Sequence, residues 1–195
     1  IRDRCTSRGL GDVYKRQDVT SFVATDNYAV AKVQGAIAAT LVNDGDTVIY
    51  VTGNQAQSTG QERRNGFMEA FSAARPGSKI LEVPTEWNSQ QAQEGVEAVL
   101  NSNSDVKMVV NAWDGGTMGA KAALENLGYS AGDVKLVGFD GASDAIAAMD
   151  EGWVHADTAQ MLYQMGYQGI KAAAAAARGE TCLLYTSDAA DDRCC

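Results

Sequence analysis

The sequence predicts an α/β fold, built as a doubly wound, mainly parallel sheet with helices on both faces. Three observations predict it. Short β-rich runs alternate with single helical stretches almost without a break from Ser21 to Arg178, which is the pattern of consecutive βαβ units. Most of the strand-like runs are apolar throughout, as expected where helices cover both faces of a parallel sheet. The chain of 195 residues, 45% apolar and 21% charged with two prolines, is long enough to bury a core of one domain.

The elements follow in order. Ser21–Ala24 is a short strand. Val30, Val33, Ile37 and Leu41 recur at helical spacing, and Asn43-Asp44-Gly45 ends that helix. Thr47–Val51 is a buried type of strand, stopped by Thr52-Gly53-Asn54. A helix carrying Phe67, Met68 and Phe71 runs to Pro76-Gly77, and strand Lys79–Val83 follows. Ala92, Val96, Val99 and Leu100 mark the next helix, and Lys107–Val110 the next strand. Helix Gly116–Leu127 ends at Gly128, the residue type favoured just past a helix C-terminus. Strand Val134–Phe139, helix Ala142–Met149 and strand Val154–Thr158 complete the series. The last helix runs from Met161 to Arg178, and its run of alanines, the best helix formers, is helix and not linker.

The two ends read differently. All four cysteines lie there (Cys5, Cys182, Cys194, Cys195), whereas a disulfide framework or zinc site scatters its cysteines through the fold it holds. Asp12-Val13-Tyr14-Lys15-Arg16-Gln17 can be encoded by GATGTGTATAAGAGACAG. The reverse complement of that string, read in another frame, encodes Cys182-Leu183-Leu184-Tyr185-Thr186-Ser187. Two ends related in this way resemble the inverted transposase end sequences of a tagmentation library, with Ser7–Gly11 and Asp188–Asp192 as adjoining adapter. Residues 1–17 and 182–195 are therefore expected to be adapter-derived and disordered, and are set aside from fold reasoning.

The net charge of -9 and pI near 4.5 argue against a nucleic-acid partner, which calls for a basic face. No apolar run approaches the roughly 20 residues of a membrane span.

In open α/β sheets, ligands sit outside the carboxyl ends of the strands. That rule selects Thr52-Gly53-Asn54, Pro84-Thr85-Glu86-Trp87, Asn111-Ala112-Trp113-Asp114, Asp140-Gly141 and Thr158-Ala159-Gln160. These segments hold two tryptophans, carboxylates and amides, and no lysine. Carboxylates and amides match vicinal hydroxyls, and aromatic faces cover the apolar side of a sugar ring. Competing constellations are thin. His155 and Asp157 share a strand face but lack a third metal ligand. The segment 53–60 lacks the lysine of a phosphate loop, no GxGxxG follows a strand, and no Ser/His/Asp set suggests a nucleophile. Asp114 and Asp140 would be the acids of a hydrolase, with nothing to set their pKa values apart. The chain is read as a non-enzyme with no cofactor and no metal.

Three motifs occur in order at suitable spacing: Phe22-Val23-Ala24-Thr25-Asp26-Asn27, Glu62-Arg63-Arg64-Asn65-Gly66-Phe67 and Val137-Gly138-Phe139-Asp140-Gly141. Together they resemble the type I periplasmic binding proteins of sugar ABC transporters, in particular the ribose-binding group. The resemblance covers residues 18–181. It implies that 18–160 form the C-terminal lobe of a two-lobed clamp, with hinge strands at both ends, and that 161–181 form a helix belonging to an absent N-terminal lobe. It implies a small sugar or polyol as ligand, a membrane permease as partner, and a periplasmic or otherwise extracytoplasmic location, free or lipid-anchored. The effector-binding domain of a lactose-repressor-type regulator shares this fold and is the alternative.

The same resemblance implies the ligand-binding residues. Arg63 matches the family arginine that donates to sugar oxygens, against a reading as a solvated helix arginine, which Arg64 takes. Asp140 matches the carboxylate that binds sugar hydroxyls; its other reading is an N-cap for the following helix. Trp87 occupies the aromatic position that stacks on the sugar, or else plugs the sheet edge. Gln160 matches a hinge glutamine that contacts either ligand or backbone. Asn111 is a further polar contact. Trp113 stands where the ribose-binding pattern has asparagine, so an indole stacks on a larger or less polar ligand or fills space. Asp114 is expected to cap the helix it begins, and Asp26 and Asn27 to satisfy hinge backbone.

Overall fold

The computed structural model describes residues 21–180 and the backbone of residues 185–186. The chain divides into two compact units. The larger, Asn27–Ala159, contains α1 (Asn27–Leu41), β2 (Thr47–Val51), α2 (Ser58–Ala74), β3 (Lys79–Val83), α3 (Ser89–Ser102), β4 (Val106–Asn111), α4 (Asp114–Asn126), β5 (Lys135–Asp140), α5 (Ser143–Asp150) and β6 (Val154–Ala159). Every strand and helix expected from the sequence is present; β2 and β3 have the expected bounds, and most other ends are displaced by one or two residues.

The five strands form one parallel sheet in the order β3-β2-β4-β5-β6. β2, residues 108–111 of β4 and residues 136–139 of β5 are buried, which explains why these strands read as mainly apolar runs. The chain leaves β2 toward β3, then returns past β2 to β4. Right-handed crossovers therefore send α2 to one face and α3, α4 and α5 to the other. α1 packs along α2, and α3 packs along α4. On the first face, Tyr50 of β2 stacks on Phe67 of α2 (4.4 Å between ring centres), which in turn stacks on Phe71 at 5.2 Å. All three side chains are fully buried.

The β4–β5 ladder ends at Val110 and Val137. Just beyond it, the amide Nε2 of Gln34, itself fully buried in α1, donates to Asn111 O at 2.9 Å and to Gly138 O at 2.8 Å. One side chain thus satisfies two strand-end carbonyls that have left the ladder.

The smaller unit gathers residues 21–26 and the chain from Gln160 onward. It holds β1 (Phe22–Val23), α6 (Leu162–Ala177) and β7 (Tyr185–Thr186), with β1 and β7 paired in parallel. β7 lies inside the 182–195 segment that the sequence set aside as disordered. The rest of that segment, and the 1–17 segment, fall outside the described residues. α6 carries a stripe of exposed apolar side chains, Leu162, Tyr163, Tyr167 and Ile170, of which Tyr163 is 85% exposed. Among the described residues no helix is long and apolar enough to cross a membrane.

Replacing Gln34 by leucine roughly keeps the side-chain volume, takes the Gln34 donor from Asn111 O and leaves Gly138 O only the long bond from the Thr158 hydroxyl at 3.4 Å. Gln34→Leu is expected to lose about 1–3 kcal/mol of stability, measured by urea unfolding; an unchanged midpoint would show that the carbonyls find other donors.

Candidate functional site

Because β2 sends its chain one way and β4 the other, a crevice opens outside their carboxyl ends. Three of the side chains selected from the sequence meet there. Arg63 reaches in from α2, Trp87 stands on the loop after β3, and Asp140 ends β5.

Arg63 is the best-held of them, with 5% of its surface exposed. Its Nε donates to Asn27 Oδ1 at 2.9 Å, and its Nη1 donates to Ala112 O at 2.6 Å and Asp140 Oδ1 at 2.9 Å. The guanidinium lies 3.9 Å from the centre of the Phe139 ring, a cation–π contact. Burial lowers the Arg63 pKa, and the Asp140 charge offsets part of that effect; an arginine stays cationic regardless. Its Nη2 makes no hydrogen bond among the described residues. Arg64, expected to be solvated, instead forms a two-point surface pair with Glu82, both contacts at 2.6 Å.

Asp140 and Trp87 share a backbone peculiarity. Among the described residues they are the two non-glycine positions with positive φ, 128° and 59° respectively. Such conformations cost of order 1–3 kcal/mol and persist where surrounding contacts enforce them, commonly at functional sites. Asp140 does not cap α5: the N-cap is Ala142, with no side-chain hydrogen bond. Its carboxylate is free of that duty and faces Arg63 instead. Trp87 lies over Gly53 at the end of β2, so close that a Cβ there would stand 2.0 Å from the indole. Only glycine admits the ring, whose Nε1 donates to Gln57 Oε1 at 2.6 Å.

Two of the expected contacts lie deeper than the other three. Asn111 is fully buried in the floor, with Nδ2 turned to Val137 O at 3.4 Å and Oδ1 without a hydrogen-bond partner among the described residues. Trp113 is 8% exposed. Its ring covers the first turn of α4 at Gly115 and Gly116 and meets Trp87 edge-on, 5.3 Å between centres at 86°. It therefore braces Trp87 and fills space there, the second of its two readings. Position after a strand marks a residue as near the crevice but does not say which way its side chain turns.

Asp114 is also not the cap expected of it. The α4 N-cap is Trp113, without a side-chain bond, and the Asp114 carboxylate spans to the next turn. It accepts from Phe139 N at 3.1 Å and Ala142 N at 2.7 Å, so its two bonds bracket Asp140-Gly141. Asp26 belongs to the smaller unit, while Asn27 begins α1 and serves Arg63. Gln160 also lies in the smaller unit, where its Oε1 accepts from the Thr25 hydroxyl at 2.7 Å. Asn27, Gln57 and Phe139 were not foreseen as parts of the site. The one signal for Phe139 is its place between the glycine and aspartate of the Gly-Phe-Asp-Gly motif. Among the described residues no group of three or more metal-ligating side chains occurs.

The matching family is described as a periplasmic binding protein domain, and its sequence profile covers residues 11–181. The chain belongs to the periplasmic binding protein family. Among curated relatives it is similar to the ribose import binding protein RbsB of Salmonella typhimurium, 31% identical over 84% of this chain and 54% of that one. It is also similar to the D-allose-binding periplasmic protein of Escherichia coli, 34% identical over 79% of this chain and 50% of the relative. This periplasmic binding protein chain thus spans about half the length of the curated relatives it matches. Among solved structures it is similar to an ABC transporter solute binding protein from Mycobacterium smegmatis with bound glycerol. That likeness has a TM-score of 0.77 and 30% identity over 89% of this chain and 60% of that one. A periplasmic solute binding protein from Actinobacillus succinogenes with bound D-allose shares the fold, with a TM-score of 0.79 at 24% identity, covering 86% and 58% of the two chains.

Gly53→Ala tests the indole placement of this periplasmic binding protein. The added methyl must displace Trp87 and break its edge contact with Trp113. A changed near-UV circular dichroism spectrum and a loss of about 1–3 kcal/mol are expected; an unaltered spectrum would place the ring elsewhere.

Proposed function

We propose that this chain is the sugar-gripping part of the substrate-binding component of an ABC-type importer. It holds a small neutral sugar or polyol and delivers it to a membrane permease from an extracytoplasmic location, without chemical turnover. The observation that carries the reading is the Arg63–Asp140 pair beside Trp87 at the switch point of the sheet. A hydroxyl oxygen accepts from the Arg63 guanidinium, whose Nη2 has hydrogen-bonding capacity to spare, while the hydroxyl proton goes to the Asp140 carboxylate. The Trp87 ring covers the apolar face of the same ligand. The relatives support the ligand class, since their names specify ribose and allose and one solved relative holds glycerol. The regulator alternative draws no support from them.

The reading also assigns α6 to another lobe. Its apolar stripe is a face for a partner surface in a longer protein, and the half-length coverage of the relatives agrees with this. Hinge closure around the ligand would follow, with the ligand's differential contacts favouring the closed state.

Equilibrium binding of the full-length protein to a panel of pentoses, hexoses, polyols and uronic acids tests the function. Saturable binding of at least one neutral member is expected, and no saturable binding to any would overturn the reading. Arg63→Met is expected to weaken that affinity by about tenfold to a hundredfold, the worth of a charged hydrogen bond. Trp87→Ala should weaken it by roughly tenfold.

The 195-residue chain by itself is expected to bind the same sugar on the order of 100-fold more weakly, through loss of two or three net hydrogen bonds from an opposing wall. Micromolar affinity in the chain alone, read by titration calorimetry, would contradict the two-lobed assignment.

A further inference from the structure

Beneath the Asp140 turn lies a pair of carboxyls with no part in the ligand contacts above. Gly138 of β5 marks the place. A Cβ on it would stand 2.6 Å from Asp114 Oδ1 and 3.2 Å from Asp157 Oδ2, so the α4 and β6 carboxyls converge on the space that glycine leaves empty. Asp114 is buried and is saturated on one side by the Phe139 and Ala142 amides. The two Asp157 oxygens are sealed from solvent without a well-formed bond from any fixed donor, and the Gly141 N–H gives partial relief. What Asp157 does meet is the Asp114 carboxyl, across the space that Gly138 leaves empty. Two buried carboxyls that share one site without a cation between them cannot both ionise readily, so one of them keeps its proton.

The surrounding charges favour retention of that proton. Asp157 faces Asp114 from α4 and Asp140 from the end of β5, and both are acids. α1 contributes the neutral Gln34 amide, spent on carbonyls, while its Lys32 is tied to Glu69 of α2 at 2.7 Å. Asp144 and Asp150 of α5 are exposed. Arg63 is turned to the far carboxylate, Asp140. Burial and the Asp114 charge, in that order, push the Asp157 carboxyl up to about 7. Asp114 is raised as well, chiefly by burial, with the Ala142 amide opposing.

We propose that Asp114 and Asp157 share a single proton and act as positioning residues for Asp140. With the proton in place, the pair carries one negative charge and Asp114 clamps the amides on either side of Asp140-Gly141. When the proton leaves for solvent, two adjoining anions repel under a turn that already holds Asp140 at φ 128°. The clamp slackens and Asp140 is no longer aimed at Arg63.

The sign follows from linkage. Asp157 titrates at about 7 in the folded chain against an ordinary 3.8, so between those values the folded state holds a proton that the unfolded state has released. Stability therefore falls as pH rises from about 4 to about 7 and levels off above. The effect on ligand affinity rests on the function proposed above, whereas the shared proton does not.

The experiment accordingly has two arms. In the first, the 195-residue chain is unfolded in urea from about pH 4.5 to 8.5 as wild type, Asp157→Asn and Asp114→Asn, and aspartate carboxyl carbons are titrated by NMR. The wild-type midpoint should fall toward neutral pH, while Asp157→Asn, whose amide can donate to Asp114, should lack this fall and be the more stable protein above about pH 7. One carboxyl resonance, absent in Asp157→Asn, should titrate near neutrality and shift toward ordinary values in Asp114→Asn. Parallel stability profiles, or an Asp157 resonance titrating near 4, would overturn the proposal. In the second arm, sugar affinity of the full-length protein should weaken about tenfold from about pH 6 to 8.5, the loss of one charged hydrogen bond, and stay flat in Asp157→Asn. A flat wild-type affinity would overturn the positioning role. An absence of sugar binding at every pH would strike the function reading instead, and the first arm would still decide this proposal.

Discussion

A guanidinium can be buried only where most of its desolvated N–H groups find acceptors and the charge finds a counter-charge. At Arg63 that requirement brings together three parts of the chain: Asn27 at the start of α1, Ala112 after β4, and the Phe139-Asp140 pair at the end of β5. None of these is near Arg63 in sequence. The arginine therefore fixes the distance between the α1–α2 layer and the strand ends, which is the distance that sets the width of the crevice. Removing one partner of a buried pair costs far more than the pair contributes, because the remaining charge is stranded. The same contact that holds the site together thus makes it intolerant of change.

Strain is distributed around that anchor. Asp140 and Trp87 each occupy a backbone region that their side chains disfavour, and each is held by contacts from elsewhere. Asp114 grips the amides beside Asp140, and Gln57 with Trp113 fixes the Trp87 ring. Two glycines make the approach feasible, Gly53 under the indole and Gly138 beside the paired carboxyls. The polar floor is completed by Gln34, which satisfies the carbonyls where β4 and β5 part. Energy drawn from a well-packed sheet is being used to keep two half-buried residues, Asp140 and Trp87, in fixed, unfavourable poses.

The elements were legible because the central strands β2, β4 and β5 are largely buried on both faces and the helices carry repeating apolar positions, so that periodicity changed at the boundaries. Arg63, Trp87 and Asp140 were legible because a strand-end rule and a family pattern selected the same residues. The direction of a side chain was not legible. Asn111 and Trp113 stand at the right strand end but turn into the floor, and no local pattern distinguishes them from Asp140. Partnerships between remote segments were equally hidden. Asp157, in an edge strand that also carries His155, read as half of an empty metal motif, and its closeness to Asp114 shows only once β6 lies beside β5. Asp114 read as a local cap because aspartate at a helix start commonly is one, and the competing demand of the Asp140 turn is visible only once β5 and α4 lie side by side.

The charge arrangement bears on what such a site can hold. Arg63 and Asp140 neutralise one another before any ligand arrives, and the carboxyls behind them add negative charge with no cation paired to them among the described residues. An anionic solute would enter against that field and compete with Asp140 for the single guanidinium. A cationic one would pull Asp140 away from it and strand Arg63. A neutral polyhydroxylated solute disturbs neither, since each hydroxyl both accepts and donates and can bridge the pair without breaking its balance. The indole then supplies the apolar surface that a sugar ring has and a salt does not. The electrostatics of the anchor thus support the proposed neutral carbohydrate ligand, on grounds separate from the names of the relatives.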